Sequence, residues 1–178
     1  MTDQRRNEIL NILKSRKEPI TGTELAKKFQ VSRQVIVQDI AVIRAQGHDI
    51  LATAKGYMLY QHDIKKDNIK TIICKHQGYA NMEEELQIMV DRGAKVLDVI
   101  VEHPIYGEIR APLMIGSRLD VEDFIHKVKK YQAEPLAVLT GGEHIHTLEV
   151  PDDRAYHQIV AALEGKGYLS GEVKEKKK

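Results

Sequence analysis

The stretch TGTELAKKFQVSRQVIVQDI, Thr21 to Ile40, holds two short helical patterns separated by two residues. Thr21 or Thr23 can cap the first, which gathers Leu25, Ala26 and Phe29 on one face. Gln30-Val31 interrupts the run, and the Ser32 hydroxyl is placed to cap a second helix. That helix runs from about Arg33 to Gln46 and aligns Ile36, Ile40 and Ile43 at helical spacing. Gly47 ends it, because glycine takes the left-handed conformation without strain. Two helices joined by so short a turn are helix-turn-helix architecture.

The flanks complete the module. Upstream, Ile9, Leu10, Ile12 and Leu13 mark another helix, which stops before Glu18-Pro19 because proline disfavours a helical predecessor. Downstream, ILATAKGYMLY reads as two extended runs, Ile50–Ala52 and Tyr57–Tyr60, joined by a turn through Lys55-Gly56. Such a hairpin is the wing of a winged helix. Off the apolar face of the third helix stand Arg33, Gln34 and Gln38, and Arg pairs with guanine as Gln does with adenine in the major groove. Lys55 at the wing tip suits a phosphate. Ser32, Arg33, Gln34, Gln38 and Lys55 are therefore the expected contacts to double-stranded operator DNA. The competing reading is a generic three-helix interaction domain with a solvated charged face.

The charge distribution agrees with a DNA-contacting first part. Residues 1–60 hold 10 Lys and Arg against 6 Asp and Glu, a net +4, and the remainder holds 17 against 20, a net −3. At 178 residues the chain suits one domain or two small ones. No apolar run approaches the roughly 20 residues of a membrane span, and MTDQRRNE does not read as a secretory signal, so no membrane association and a cytoplasmic protein are expected. A single cysteine, Cys74, excludes an intramolecular disulfide and a four-thiolate zinc site.

Three segments are expected: a winged helix-turn-helix domain over 1–62, a second domain over 63–170, and a disordered basic tail over 171–178. In the second domain Ile69–Lys75 reads as a strand or the end of a helix. NMEEELQIMVDRG reads as a helix capped by Asn81, with three glutamates favouring its positive first turn. Two β-branched runs follow, interrupted by Pro104 and Gly107. RLDVEDFIHKVKKYQ is an amphipathic helix burying Leu119 or Val121 with Phe124, Ile125 and Val128. LAVLTGGEHIHTLEV brings another strand and DDRAYHQIVAALEGKG a last helix. This order predicts an α+β sandwich, an antiparallel or mixed sheet with helices packed on it.

Within GGEHIHTL, Gly141–Leu148, two histidines stand at i and i+2 after a double glycine. On a strand, His144 and His146 leave from one face and can converge on a metal or an anion, or both can be solvated. His76 stands two residues after Cys74, again one strand face; Cys74 itself reads as a small buried apolar residue. Glu83, Glu84 and Glu85 follow, and one of them can complete three imidazoles. Three His and one Glu suit Zn, Ni, Co, Fe or Mn without choosing among them. His103 reads as structural at a turn, and His48, His62, His126 and His157 carry no assigned role.

Taken together, TGTELAKKFQVSRQVIVQDI, DVIVEHPIYGEI and GGEHIHTLE resemble the nicotinate-responsive repressors of niacin uptake and NAD biosynthesis, over about Arg5 to Leu169. The resemblance implies an N-terminal helix-turn-helix coupled to a C-terminal three-histidine regulatory domain. It implies His76, Glu85, His144 and His146 as ligands of a divalent transition metal, nickel or zinc foremost. Glu84 is the alternative carboxylate if the count runs from His76, whereas the helix phase set by Leu86 and Met89 selects Glu85. It further implies nicotinic acid as corepressor and a homodimer, whose two reading heads would meet successive major-groove faces about 34–36 Å apart. No nucleophile elbow, phosphate loop or HExxH motif is present, so an enzyme is not expected. A metal-responsive regulator is the alternative, and a metal-dependent hydrolase a more distant one.

Overall fold

The computed structural model describes residues 2–60 and 68–170, and the chain divides into two compact units, Met1–Asp63 and Ile64–Lys178. The expected tail over 171–178, and the linker apart from its last residues, lie outside the described residues.

In the first unit, α1 (Thr2–Ser15), α2 (Gly22–Phe29) and α3 (Arg33–Ala45) precede β1 (Ile50–Thr53) and β2 (Gly56–Leu59). Thr21 opens α2 with a reciprocal cap. Its hydroxyl oxygen accepts the Glu24 N–H at 3.1 Å, and the Glu24 carboxylate accepts the Thr21 N–H at 2.9 Å. Gln30 turns the chain at a left-handed φ of 52°, and Ser32 caps α3 by accepting the Val35 N–H at 3.3 Å. The core is aliphatic: Ile9, Leu13, Leu25, Ile36, Ile40 and Ile43 are fully buried, each stabilising the fold by roughly 1.5–3 kcal/mol. One charge enters it. Asp39 on α3 is buried and accepts hydrogen bonds from Arg5 Nε at 2.6 Å and Arg6 Nε at 2.9 Å, locking α1 onto α3.

The hairpin of β1 and β2 is antiparallel, and Ile20 adds a bridge to its outer edge through two hydrogen bonds with Tyr57. Gly56 makes this approach possible. It sits at φ +129°, and a Cβ there would lie 2.4 Å from the Ile20 carbonyl oxygen.

The second unit runs β3 (Ile69–Lys75), α4 (Tyr79–Val90), β4 (Lys95–His103), β5 (Gly107–Ile115), α5 (Arg118–Lys130), β6 (Glu143–Glu149) and α6 (Asp153–Gly165). The sheet order is β3-β6-β4-β5, antiparallel throughout. Alternation buries Ile72 and Cys74 of β3 with His144, His146 and Leu148 of β6. Helix α4 packs against β4, α5 and α6. The architecture is α+β.

Two local expectations are corrected. Helix α4 begins three residues early, after Gly78 at φ +89°, so Asn81 lies inside it and donates to the Gln77 carbonyl instead of capping. The glutamates are consequently past the first turn, where the dipole argument does not apply. In LAVLTGGEHIHTLEV, Leu136–Thr140 is a 3-10 turn set between Pro135 and the left-handed Gly141, and the strand starts only at Glu143. Of the α5 candidates, Val121 is buried and Leu119 is exposed. His103 does close a turn, its Nδ1 accepting the N–H groups of Ile105 and Tyr106.

Candidate metal centre

Gly141 and Gly142 both take positive φ, 63° and 96°, and swing the chain into β6. A Cβ on Gly142 would lie 2.5 Å from the His76 carbonyl oxygen, so glycine is what lets β6 close on the end of β3. The Gly142 carbonyl then accepts the His144 Nδ1–H at 2.9 Å and the His76 backbone N–H at 3.3 Å. The Asp98 carbonyl accepts the His146 Nδ1–H at 2.8 Å. A carbonyl only accepts, so Nδ1 carries the hydrogen in both rings, and the neutral imidazoles keep their lone pair on Nε2. Both rings are buried.

Helix α4 supplies the carboxylate. Glu85 shares the inward face with Leu86 and Met89 and is 1% exposed. Its oxygens lie 2.7 Å from His76 Nε2, 3.1 Å from His144 Nε2 and 3.5 Å from His146 Nε2. The structure thus brings His76, Glu85, His144 and His146 together. Glu84 points elsewhere, to Lys166 and the Tyr168 hydroxyl, and Glu83 lies 3.8 Å from Lys129. Tyr168 also packs its ring 4.9 Å from that of His76.

Electrostatics follows from the crowding. Burial alone pushes the Glu85 carboxyl up, but the surrounding imidazoles, His146 first, draw it well below the ordinary range. Burial pushes His146 down, and the Glu85 charge reverses this to a net rise. Without a cation, Glu85 and the His146 ring each favour the charged form of the other. The Cys74 thiol is pushed up, by burial first and by Glu85 second.

The donors fit a divalent transition metal. The His76 side chain is 7% exposed and neither ring nitrogen has a hydrogen-bond partner, although Nε2 is 2.7 Å from Glu85. Close approach of two buried donors without hydrogen-bond alignment is the geometry of atoms that share a cation, and an unmade buried hydrogen bond otherwise costs about 1–3 kcal/mol. Imidazole and carboxylate suit the borderline metals.

One contributor, Asp98, is absent from the sequence reading. Asp98 sits at a β-bulge between Val96 and Asp98, where the register of β4 shifts against both neighbours. Besides holding His146 through its carbonyl, it accepts the Thr147 N–H at 3.1 Å and pairs with Arg110. An acidic residue inside the aliphatic run VLDVIV was the available signal. Cys74, read as a small buried residue, is buried, and its Sγ, a Glu85 oxygen and a His144 nitrogen all lie within 4.8 Å of one another.

In the first unit, Ser32, Arg33, Gln34 and Gln38 are exposed. The Ser32 hydroxyl serves the α3 cap. Lys55 is half-buried at the hairpin turn and lies 3.7 Å from Glu18.

Comparison with known proteins places these units. Residues 69–172 match the 3H domain family and residues 5–58 an HTH domain family. The probable transcription repressor NiaR of Thermotoga maritima is 40% identical over 166 residues, 93% of this chain and 93% of that protein. The transcription repressor NadR of Bacillus subtilis is 44% identical over 174 residues, 95% of this chain and 94% of the relative. Both are named as repressors and not as enzymes. With an HTH module at one end, a 3H module at the other and relatives matched along nearly their whole length, this chain belongs to the family of NiaR and NadR transcription repressors.

Proposed function

We propose that this protein is a DNA-binding transcriptional repressor of niacin-uptake and NAD-biosynthesis genes, with nicotinic acid as its corepressor. The observation that carries the reading is the convergence of three imidazoles and one carboxylate, each side chain at most 7% exposed, in a chain whose other unit exposes Arg33, Gln34 and Gln38 on a capped helix. His76, Glu85, His144 and His146 would hold a divalent metal, nickel or zinc. When bound, that ion supplies a Lewis-acidic positive charge suited to a carboxylate or a pyridine nitrogen, the two groups nicotinic acid carries. The chain's own contribution is to fix the rings: the Gly142 and Asp98 carbonyls hold His144 and His146 in the tautomer that points Nε2 inward.

The protein acts as a homodimer whose reading heads meet successive major-groove faces about 34–36 Å apart. A ligand that changes the spacing couples to operator affinity, and the usual 1–3 kcal/mol of coupling corresponds to roughly 5–150-fold.

Operator binding titrated with nicotinate at fixed metal, and again after chelation, tests the proposal. Tighter DNA binding with nicotinate, lost on chelation, is expected. Unchanged affinity refutes the corepressor role, and a response to metal alone identifies a metal-responsive regulator instead.

A further inference from the structure

Cys74 stands at the centre of the 3H unit with chemistry that the four-residue ligand set leaves unused. On β3 it lies two residues before His76, and across the ladder it pairs directly with His144, so all three residues share one face. It is fully buried. Its sulfur, a Glu85 oxygen and a His144 nitrogen fall within 4.8 Å of one another, and a shared cation, with metal–sulfur and metal–nitrogen bonds of about 2.3 and 2.1 Å, would draw them together.

The backbone around it is pinned on both sides. Opposite His144, the other edge of β3 is closed by a bridge from Cys74 to Leu169, flanked by hydrogen bonds from Lys75 N to Tyr168 O and from Ser170 N to Ile73 O. A residue needed only to fill space would be served equally by alanine or valine beside aliphatic neighbours. Here the neighbours include the Glu85 carboxylate, to which the thiol hydrogen-bonds, and the His144 imidazole. An independent sign that this point is built for a cation is His76, its side chain 7% exposed, with both ring nitrogens lacking a hydrogen-bond partner and Nε2 lying 2.7 Å from the Glu85 carboxylate.

We infer that Cys74 is a fifth protein donor, its thiolate sulfur binding the same divalent metal as His76, Glu85, His144 and His146. The inference rests on the reading of this site as a metal centre. When the ion enters, the S–H bond breaks, a metal–sulfur bond forms and the proton leaves to solvent; nothing is oxidised or reduced. The added thiolate turns a nitrogen and oxygen site into a mixed one and moves its preference toward zinc, nickel and cobalt and away from magnesium, calcium and manganese. It also leaves fewer coordination positions for an effector.

The test uses the full chain, stripped of metal and titrated with Co2+ without oxygen, as wild type and as Cys74→Ser and Cys74→Ala. Wild type is expected to show the visible ligand-field bands of bound cobalt together with a near-ultraviolet sulfur-to-cobalt charge-transfer band. Both variants should keep the visible bands and lose the charge-transfer band, and their zinc affinity should fall by at least the roughly 10–100-fold typical of losing an outer-shell partner. Visible bands without the charge-transfer band in wild type overturn the inference and leave the four-donor centre standing. No cobalt bands at all overturn both. The wild-type spectrum decides without reference to whether either variant folds.

Discussion

The Asp98 carbonyl oxygen and His146 Nδ1 lie 2.8 Å apart, and this contact makes one residue serve the site and the sheet together. Its carboxylate holds the Thr147 N–H at 3.1 Å and pairs with Arg110, whose side chain is half exposed. The register shift between Val96 and Asp98 sets where the carbonyl falls. An imidazole in the buried cluster is thereby steadied by an ion pair that reaches solvent.

Asp98→Ala removes the side chain that holds the bulge while keeping a backbone carbonyl at that position. Metal affinity is expected to fall by about 10–100-fold, the usual effect of losing an outer-shell partner, with operator-head folding unchanged. Competition against a chelating dye measures it. Wild-type affinity in the variant would show that the bulge does not orient His146.

Glu85→Gln and Glu84→Gln separate two neighbours that differ only in helix phase. Glu85 faces three imidazoles, whereas Glu84 binds Lys166 and Tyr168 at the surface. The Glu85 substitution should weaken metal binding by more than the roughly 100-fold upper range of outer-shell losses. The Glu84 substitution should leave it within a few-fold, because partly exposed ion pairs contribute little. Equal losses in isothermal titration would refute the assignment.

What was legible in the sequence was local or periodic. The Thr21 and Ser32 caps and the Ile36-Ile40-Ile43 face depend on residues within two turns. The shared face of His144 and His146 follows from strand alternation, and Glu85 was reached through the phase of Leu86 and Met89. The remainder depends on partners distant along the chain or on backbone angles. Asp39 is held by Arg5 and Arg6, more than thirty residues away. Asn81 was misread because Gly78 had already turned the chain into the helix. Leu136–Thr140 was misread because Pro135 and Gly141 bend an apolar run that would otherwise suit a strand. Tyr168 reaches His76 only because the segment after α6 pairs with β3.

A metal held in the proposed site would compete with protons for the same atoms, which gives a signed pH dependence. The Glu85 pKa is depressed, so its contribution to metal-free stability is present above the ordinary value of about 4.3 and lost as pH falls through its folded value. His146 is raised, so its contribution is complete below about 6.5 and lost as pH rises through its raised value. Mutual stabilisation of the two charged forms thus supports the metal-free protein chiefly between these limits. Metal binding at the proposed site would displace any proton on His146 and strengthen with pH. The zinc-induced rise in Tm should therefore grow between about pH 5.5 and 8. Paired calorimetric scans with zinc and with chelator measure it, and a rise that stays flat across that interval excludes proton-for-metal exchange at this site.

On the operator side, two kinds of contact predict two kinds of loss. Arg33 is exposed at the first turn of α3, where a fork of donors can read a guanine edge. Arg33→Ala should cost about 1–3 kcal/mol of binding, concentrated on one base pair of the operator, so that changing that base pair hurts wild type more than the variant. Lys55 lies at the hairpin turn, where a single positive charge can meet backbone phosphate. Lys55→Ala should weaken binding by a similar factor on every sequence and lower the salt slope by about one. Both variants should retain the metal content of wild type, since every substitution falls in the other compact unit. Fluorescence anisotropy over a salt series, with operator and scrambled DNA in parallel, distinguishes the two patterns. A variant of Arg33 that loses affinity equally for both DNAs would mean that α3 positions the protein on phosphate and that the bases are read elsewhere.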